Sequence, residues 1–235
     1  GDDPTARIYE TDYGYRFHLS RASHVKFVNC DFRHTKQEAD LATVSEQPFS
    51  HHITWEGCGL SYGKHSLIAV YDYQDDWTIR DCDFRVAGNG VYTISGTNEA
   101  PDRLTVVDCA FYDMGHTYPN SDGHAVGVQG GHNIVIEDNY MEYCQNAICL
   151  HAWIEQEMKD IIIRNNFIHD SGDRAMPISG HHGSPYGMRT GIEMYNNIIA
   201  NAEAQAITTN GVDPVFIRDN TVYDAYGFTC WTRDY

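Results

Sequence analysis

Basic residues are scarce in this chain. Its 235 residues include 16 Lys and Arg, only four of them Lys, against 33 Asp and Glu, for a formal charge of −17. An acidic excess of this size repels polyphosphates and anionic lipid surfaces, so nucleic acid is not an expected partner. Long apolar runs are also missing. None reaches the length needed to cross a bilayer as a helix, and no signal peptide precedes Gly1, so membrane insertion is not expected. No segment sustains apolar residues at i, i+3 and i+4, which argues against amphipathic helices. Seven Cys are present, an odd number, so at least one thiol is free.

What the chain has instead is a repeat. Eight runs share one pattern: alternating apolar residues, a small polar residue, then another apolar one. They are HVKFVNCDF, HITWEGCGL, WTIRDCDF, LTVVDCAF, IVIEDNYM, IIIRNNFI, IEMYNNII and VFIRDNTV. The polar pivots are Cys30, Cys58, Cys82, Cys109, Asn139, Asn166, Asn197 and Asn220, spaced by 28, 24, 27, 30, 27, 31 and 23 residues. A period near 27 built from strand-like units indicates a solenoid.

Period-two alternation, as in Ile161-Ile162-Ile163, marks each run as a strand. A second strand precedes most pivot runs, as in GVYTIS, HAVGVQG, NAICLHA and RAMPISG, and a third, shorter one follows each pivot. Three strands per repeat predict an all-β right-handed parallel β-helix of about eight coils, forming one domain over residues 1–235. Identical residues of successive coils then stack at roughly 4.8 Å. The Asn pivots are expected to form a hydrogen-bonded ladder. The Cys pivots are expected to continue that column as buried thiols, with a disulfide between neighbouring coils as the alternative.

Over about residues 13–235 the chain resembles the right-handed parallel β-helix superfamily of pectate lyases, polygalacturonases, alginate lyases and epimerases, and bacterial surface proteins. The shared feature is the coil itself. None of the diagnostic motifs of polygalacturonases or pectate lyases is intact, so no catalytic set is carried over and function must be argued from the site. The resemblance implies a secreted or cell-surface protein with a polysaccharide substrate or ligand. Solenoids expose a sheet edge and core at each end, and no capping helix is visible before Tyr13. The chain is therefore expected to be part of a longer protein, or to be capped by another chain or segment.

Alternation in the strand preceding each outer loop separates two faces. Inward pairs read as Ile68/Val70, Tyr92/Ile94, Val126/Val128, Ile148/Leu150 and Met176/Ile178. An outward column reads as Ala69, Thr93, Gly127, Cys149, Pro177, Thr208 and Thr229, beside a more polar one of Tyr71, Ser95, Gln129, His151, Ser179, Asn210 and Trp231. Small beside polar makes a shallow floor with hydrogen-bonding walls. Three consecutive coils concentrate acids, bases and cations at this face: Asp122, His124, His151, Asp173, Arg174, His181 and His182 are the catalytic candidates. Gln129, Asn146, Trp153, Ser179, Tyr186, Arg189, Asn210 and Trp231 are the substrate-binding candidates.

Each candidate also has a plainer role. Asp122-Gly123 and the His181–Pro185 stretch suit turns, and His124 suits a satisfied turn histidine. The groove histidines lack a tight metal-ligand spacing on one element. Calcium is the easier cation to imagine, given the many carboxylates, but no Asp-x-Asp-x-Asp loop is present and metal ligands stay unassigned. The leading reading is an enzyme acting on a polysaccharide. Asp122 and Asp173 would serve hydrolysis. His124 or His151 as base, with Arg174 or Arg189 neutralising a uronate and Tyr186 as acid, would serve a lyase or epimerase. The alternatives are a glycan-binding module without chemistry and a structural surface solenoid.

Overall fold

The computed structural model describes residues 8–11, 17–18, 22–35, 42–43, 50–71, 74–94, 101–117, 122–152, 157–180, 189–210 and 214–231. They form a parallel β-solenoid with three faces and no helix among the described residues. The first face is an eight-stranded sheet: Ser23–Val28, His51–Glu56, Asp75–Arg80, Asp102–Val107, Gly131–Glu137, Met158–Arg164, Arg189–Tyr195 and Val215–Arg218. These are the pivot runs. The second face holds the strands after each pivot, such as Ala110–Met114, Tyr140–Cys144 and Phe167–His169. The third holds His124–Gln129, Asn146–Ala152, Met176–Gly180, Ile207–Asn210 and Phe228–Trp231. Gly59–Tyr71 and Asp83–Ile94 are long enough to run through both the second and third faces, which joins them into one 16-stranded sheet.

Every coil puts the same residues over one another. Ile134, Ile161, Ile192 and Val215 are successive register partners, as are Ile136, Ile163, Met194 and Ile217. Ile163 is fully buried, as the inward reading requires. Nearer the N-terminus the stack is aromatic: Phe27 lies over Trp55 at 4.2 Å and Phe84 over Phe111 at 4.6 Å between ring centroids. Eight rungs are present on the first face, but only about six turns enclose a core. In the Ser23–Val28 and Val215–Arg218 rungs the inward positions are only half-buried, since among the described residues each rung pairs on this face with a neighbour on one side only. Phe216 and Phe228 are more than half exposed.

The pivot column forms as expected. Asn139, Asn166 and Asn197 each donate from both the backbone N and Nδ2 to the side-chain oxygen of the next Asn, at 2.9–3.1 Å. Each Nδ2 also donates to a carbonyl of the preceding coil, those of Val106, Ile136 and Ile163, at 3.0 Å. Cys109 joins the two halves of the column by donating its backbone N to Asn139 Oδ1 at 3.0 Å. Cys30, Cys58, Cys82 and Cys109 are free thiols, and each Sγ donates to the carbonyl two residues earlier.

The residue before each pivot explains the turn. Asn29, Gly57, Asp81, Asp108, Asp138, Asn165, Asn196 and Asp219 all have φ between 52° and 62°. Asn, Asp and Gly are the residues that adopt this left-handed conformation at least cost. The eight positions hold nothing else, so the pivot runs carry a turn signal one residue ahead of the pivot itself.

Candidate functional site

The third face positions the candidate site. In His124–Gln129 the inward residues Val126 and Val128 pair with Ile148 and Leu150, leaving Gly127, Gln129, Cys149 and His151 outward. One coil earlier the parity differs from the sequence reading. Val91 and Thr93 point inward, both fully buried, and Tyr92 points out. The sequence VYTI offers apolar side chains at both parities, so alternation alone cannot choose. Register does: Val91 stacks between Ile68 and Val126. The buried Thr93 hydroxyl is satisfied, donating to the Gly130 carbonyl at 2.9 Å and accepting from Gln129 N at 3.0 Å.

Tyr92 thereby becomes a wall of the site. It lies over Gly127, where a Cβ would stand 2.2 Å from Tyr92 Cδ2 and 2.8 Å from His124 Cδ2. Only a residue without a side chain lets both rings occupy that space. The Tyr92 and His124 rings are nearly parallel, 19° apart with centroids at 5.8 Å. Burial, reinforced by nearby Asp122, pushes the Tyr92 hydroxyl well above the ordinary phenol range, so it is a neutral donor. The signal for Tyr92 was present in the sequence as a glycine one coil further on.

His124 is only 4% exposed, in contrast to its expected position as an open groove residue. Its backbone N donates to Asn89 Oδ1 at 2.9 Å, and its Nε2 lies 3.8 Å from Asp122 Oδ2. Burial pulls the imidazole down to about 4, against the opposing pull of Asp122. His124 is therefore neutral at neutral pH. Asp122, with its side chain 76% exposed, is held by its backbone: its carbonyl accepts from Asn146 Nδ2 at 2.9 Å. His151 Nδ1 and Ser179 Oγ, register partners on adjoining strands, are 3.1 Å apart. Asp173 is anchored in the next turn, donating from N to the Gln145 carbonyl at 2.9 Å and accepting from Ala204 N at 3.0 Å. Arg174 beside it is exposed. Burial, then the Asp122 charge, pushes the Cys149 thiol up to about 12, so it forms floor rather than nucleophile.

These side chains converge on one cleft of about 230 Å³, lined by Tyr92, Asp122, His124, Asn146, Cys149, His151, Asp173, Arg174, Pro177 and Ser179. Seven of the candidates named from sequence meet there: Asp122, His124, Asn146, His151, Asp173, Arg174 and Ser179. Gln129 and Asn210 stand on the same outward column but outside the cleft's lining. Gln129 accepts from the Tyr92 hydroxyl at 3.4 Å, and Asn210 is the register partner of Ser179. Trp153, His181, His182 and Tyr186 lie outside the described residues, as do the side chains of Arg189 and Trp231. Chemically, the cleft offers two carboxylates, two imidazoles and one guanidinium around a floor of small side chains.

Residues 67–235 match the family model described as right handed beta helix region. No curated protein matches the sequence. Among solved structures, the chain is similar to a hyperthermoactive exopolygalacturonase from Thermotoga maritima, with a TM-score of 0.55 and 11% identity over 91% of this chain and 54% of that one. It is also similar to a tailspike protein mutant of E. coli bacteriophage HK620 in complex with pentasaccharide. There the TM-score is 0.50 and identity 11%, over 97% of this chain and 53% of that one. The chain thus spans about half the length of these structures, and at this identity the likeness is one of fold.

Proposed function

The chain belongs to the right-handed β-helix family, and from that premise we propose that it is a carbohydrate-active protein whose cleft hydrolyses a glycosidic bond in a polysaccharide outside the cell. The observation that carries the proposal is that Asp122 and Asp173, from turns two coils apart with the Asn146 turn between them, border one cleft together with His124, His151 and Arg174. Glycoside hydrolysis needs two carboxyl groups. One protonates the leaving oxygen, while the other activates water or attacks the anomeric carbon. Asp122 beside neutral His124, and Asp173 beside Arg174, are that pair. Tyr92, Asn146 and Ser179 supply donors for sugar hydroxyls. The β-helix neighbours, a polygalacturonase and a tailspike solved with a pentasaccharide, support a glycan as the ligand.

A charge of −17 favours a neutral glycan over a polyuronate. The second reading, a lyase or epimerase on uronic acids, draws on the two histidines and Arg174, which would serve as base and as partner of the uronate carboxylate. Incubation with a panel of neutral and uronic polysaccharides separates the readings. New reducing ends without unsaturated products are expected. Unsaturated products would transfer the assignment to a lyase. Glycan binding with neither product would make the cleft a binding site only.

A further inference from the structure

A second chemical cluster lies on a different face from the cleft, at the N-terminal end of the first face. Ser23–Val28 and His51–Glu56 are neighbouring parallel strands, with Ser23 opposite His51. His24 and His52 occupy equivalent positions of the two coils, both in the left-handed conformation at φ 57°. Their rings stack with centroids 4.6 Å apart. His51 is edge-on to both, at 5.6 Å from His24 and 4.9 Å from His52. Each of the three offers a ring nitrogen, and these donor atoms all lie within 4.8 Å of one another. His51 Nδ1 and His52 Nδ1 are 2.7 Å apart.

Three features point to a cation. Two neutral rings can share a 2.7 Å contact only if one carries its proton on Nδ1 and donates it in a hydrogen bond to the bare Nδ1 of the other, and two charged rings would repel. Three imidazoles in one patch are best reconciled by a shared Lewis acid. With Zn–N bonds of about 2.0–2.1 Å, a tetrahedral centre needs donors about 3.3–3.4 Å apart, inside the span these atoms already occupy. Finally, the far nitrogen of His52, Nε2, lies 3.7 Å from Asp76 Oδ2, and Arg103 Nη2 holds the same carboxylate oxygen at 3.0 Å. A carboxylate on that side of the ring favours a proton at Nε2, which leaves Nδ1 of His52 for the metal. The patch opens on a cavity of about 440 Å³ that includes Lys26, Thr54 and Thr78, which leaves room for water as a further ligand.

We infer that His24, His51 and His52 form a binding site for a borderline transition-metal ion of the zinc class, with Asp76 orienting His52. Imidazole donors suit Zn, Cu, Ni and Co rather than Mg or Ca. The site is separate from the cleft and does not rest on the proposal made for it. Its location gives it a structural effect: it clips the half-exposed Ser23–Val28 rung to the first fully enclosed coil.

The test titrates the full chain, free of any added histidine tag, with Zn²⁺ by calorimetry and with Co²⁺ by visible absorption. One equivalent should bind, with d–d bands from Co²⁺ and a rise in the thermal midpoint with Zn²⁺. H24A/H52A should lose that equivalent, His151→Ala should keep it, and Asp76→Asn should weaken it by about 10–100-fold. Because the double variant could lose its first rung, ¹⁵N NMR of the unaltered protein supplies the second reading: Zn²⁺ should move the ring nitrogens of His24, His51 and His52. No saturable binding, a retained equivalent in a folded H24A/H52A, or shifts confined to other histidines would each overturn the inference.

Discussion

Single residues in the cleft are set by what lies one coil away. His124 is neutral because its ring is buried between Tyr92 and the strand carrying His151, and Asp122 opposes this only in part. That has a consequence for stability. The folded-state value, about 4, lies below the ordinary imidazole value of about 6.5. Between those limits the unfolded chain binds the extra proton, so stability is full above about pH 6.5 and falls as pH drops toward 4, by on the order of a few kcal/mol. His124→Gln, which cannot titrate, should flatten the thermal midpoint between pH 7 and pH 4 relative to the parent. Equal slopes for the two proteins would show that His124 is not buried in neutral form. Residue types on the third face were readable because His, Asp and Arg cluster in three coils. Tyr92 left only an indirect trace, Gly127 one coil on, since parity in VYTI depends on its neighbours' register. The burial of His124 depends on a ring from another coil, so it was out of reach.

At the scale of the element, the coil is held by its columns. Asn166 is buried and donates through both its backbone N and Nδ2 to Asn197 Oδ1, while its own oxygen accepts two bonds from Asn139. Asn166→Ala leaves the Asn139 donors and the Ile136 carbonyl short of partners. At about 1–3 kcal/mol for each buried group left unpaired, a loss of about 2–4 kcal/mol in chemical unfolding is expected. A change below about 0.5 kcal/mol, the ordinary range for surface substitutions, would mean that the ladder does not contribute to stability. The ladder was legible because one residue type recurs at one place in the repeat. The strand count was legible too, yet the number of enclosed turns was not. A pivot run reads alike whether one or two coils cover it, and only burial separates the end rungs from the six inner ones.

The whole molecule is an acidic solenoid with ion pairs along the first face, as with Lys26 and Arg80 on Glu56 and Arg164 on Glu137. On the third face the turns bring Asp122 and Asp173 to one cleft, where the proposed hydrolysis is placed. Fold alone does not choose an activity, so the claim stands on those two side chains. The most direct measurement is reducing-end release from the polysaccharide found active in the panel, by the parent, Asp122→Asn and Asp173→Asn, alongside glycan binding by the same three proteins. Both substitutions keep the shape of the side chain and remove its acid–base function. Each should lower turnover by about 10²–10⁴-fold, the usual worth of a positioned acid or base, with glycan affinity and thermal midpoint little changed. Full turnover in both variants would contradict the account and place the chemistry elsewhere on the chain.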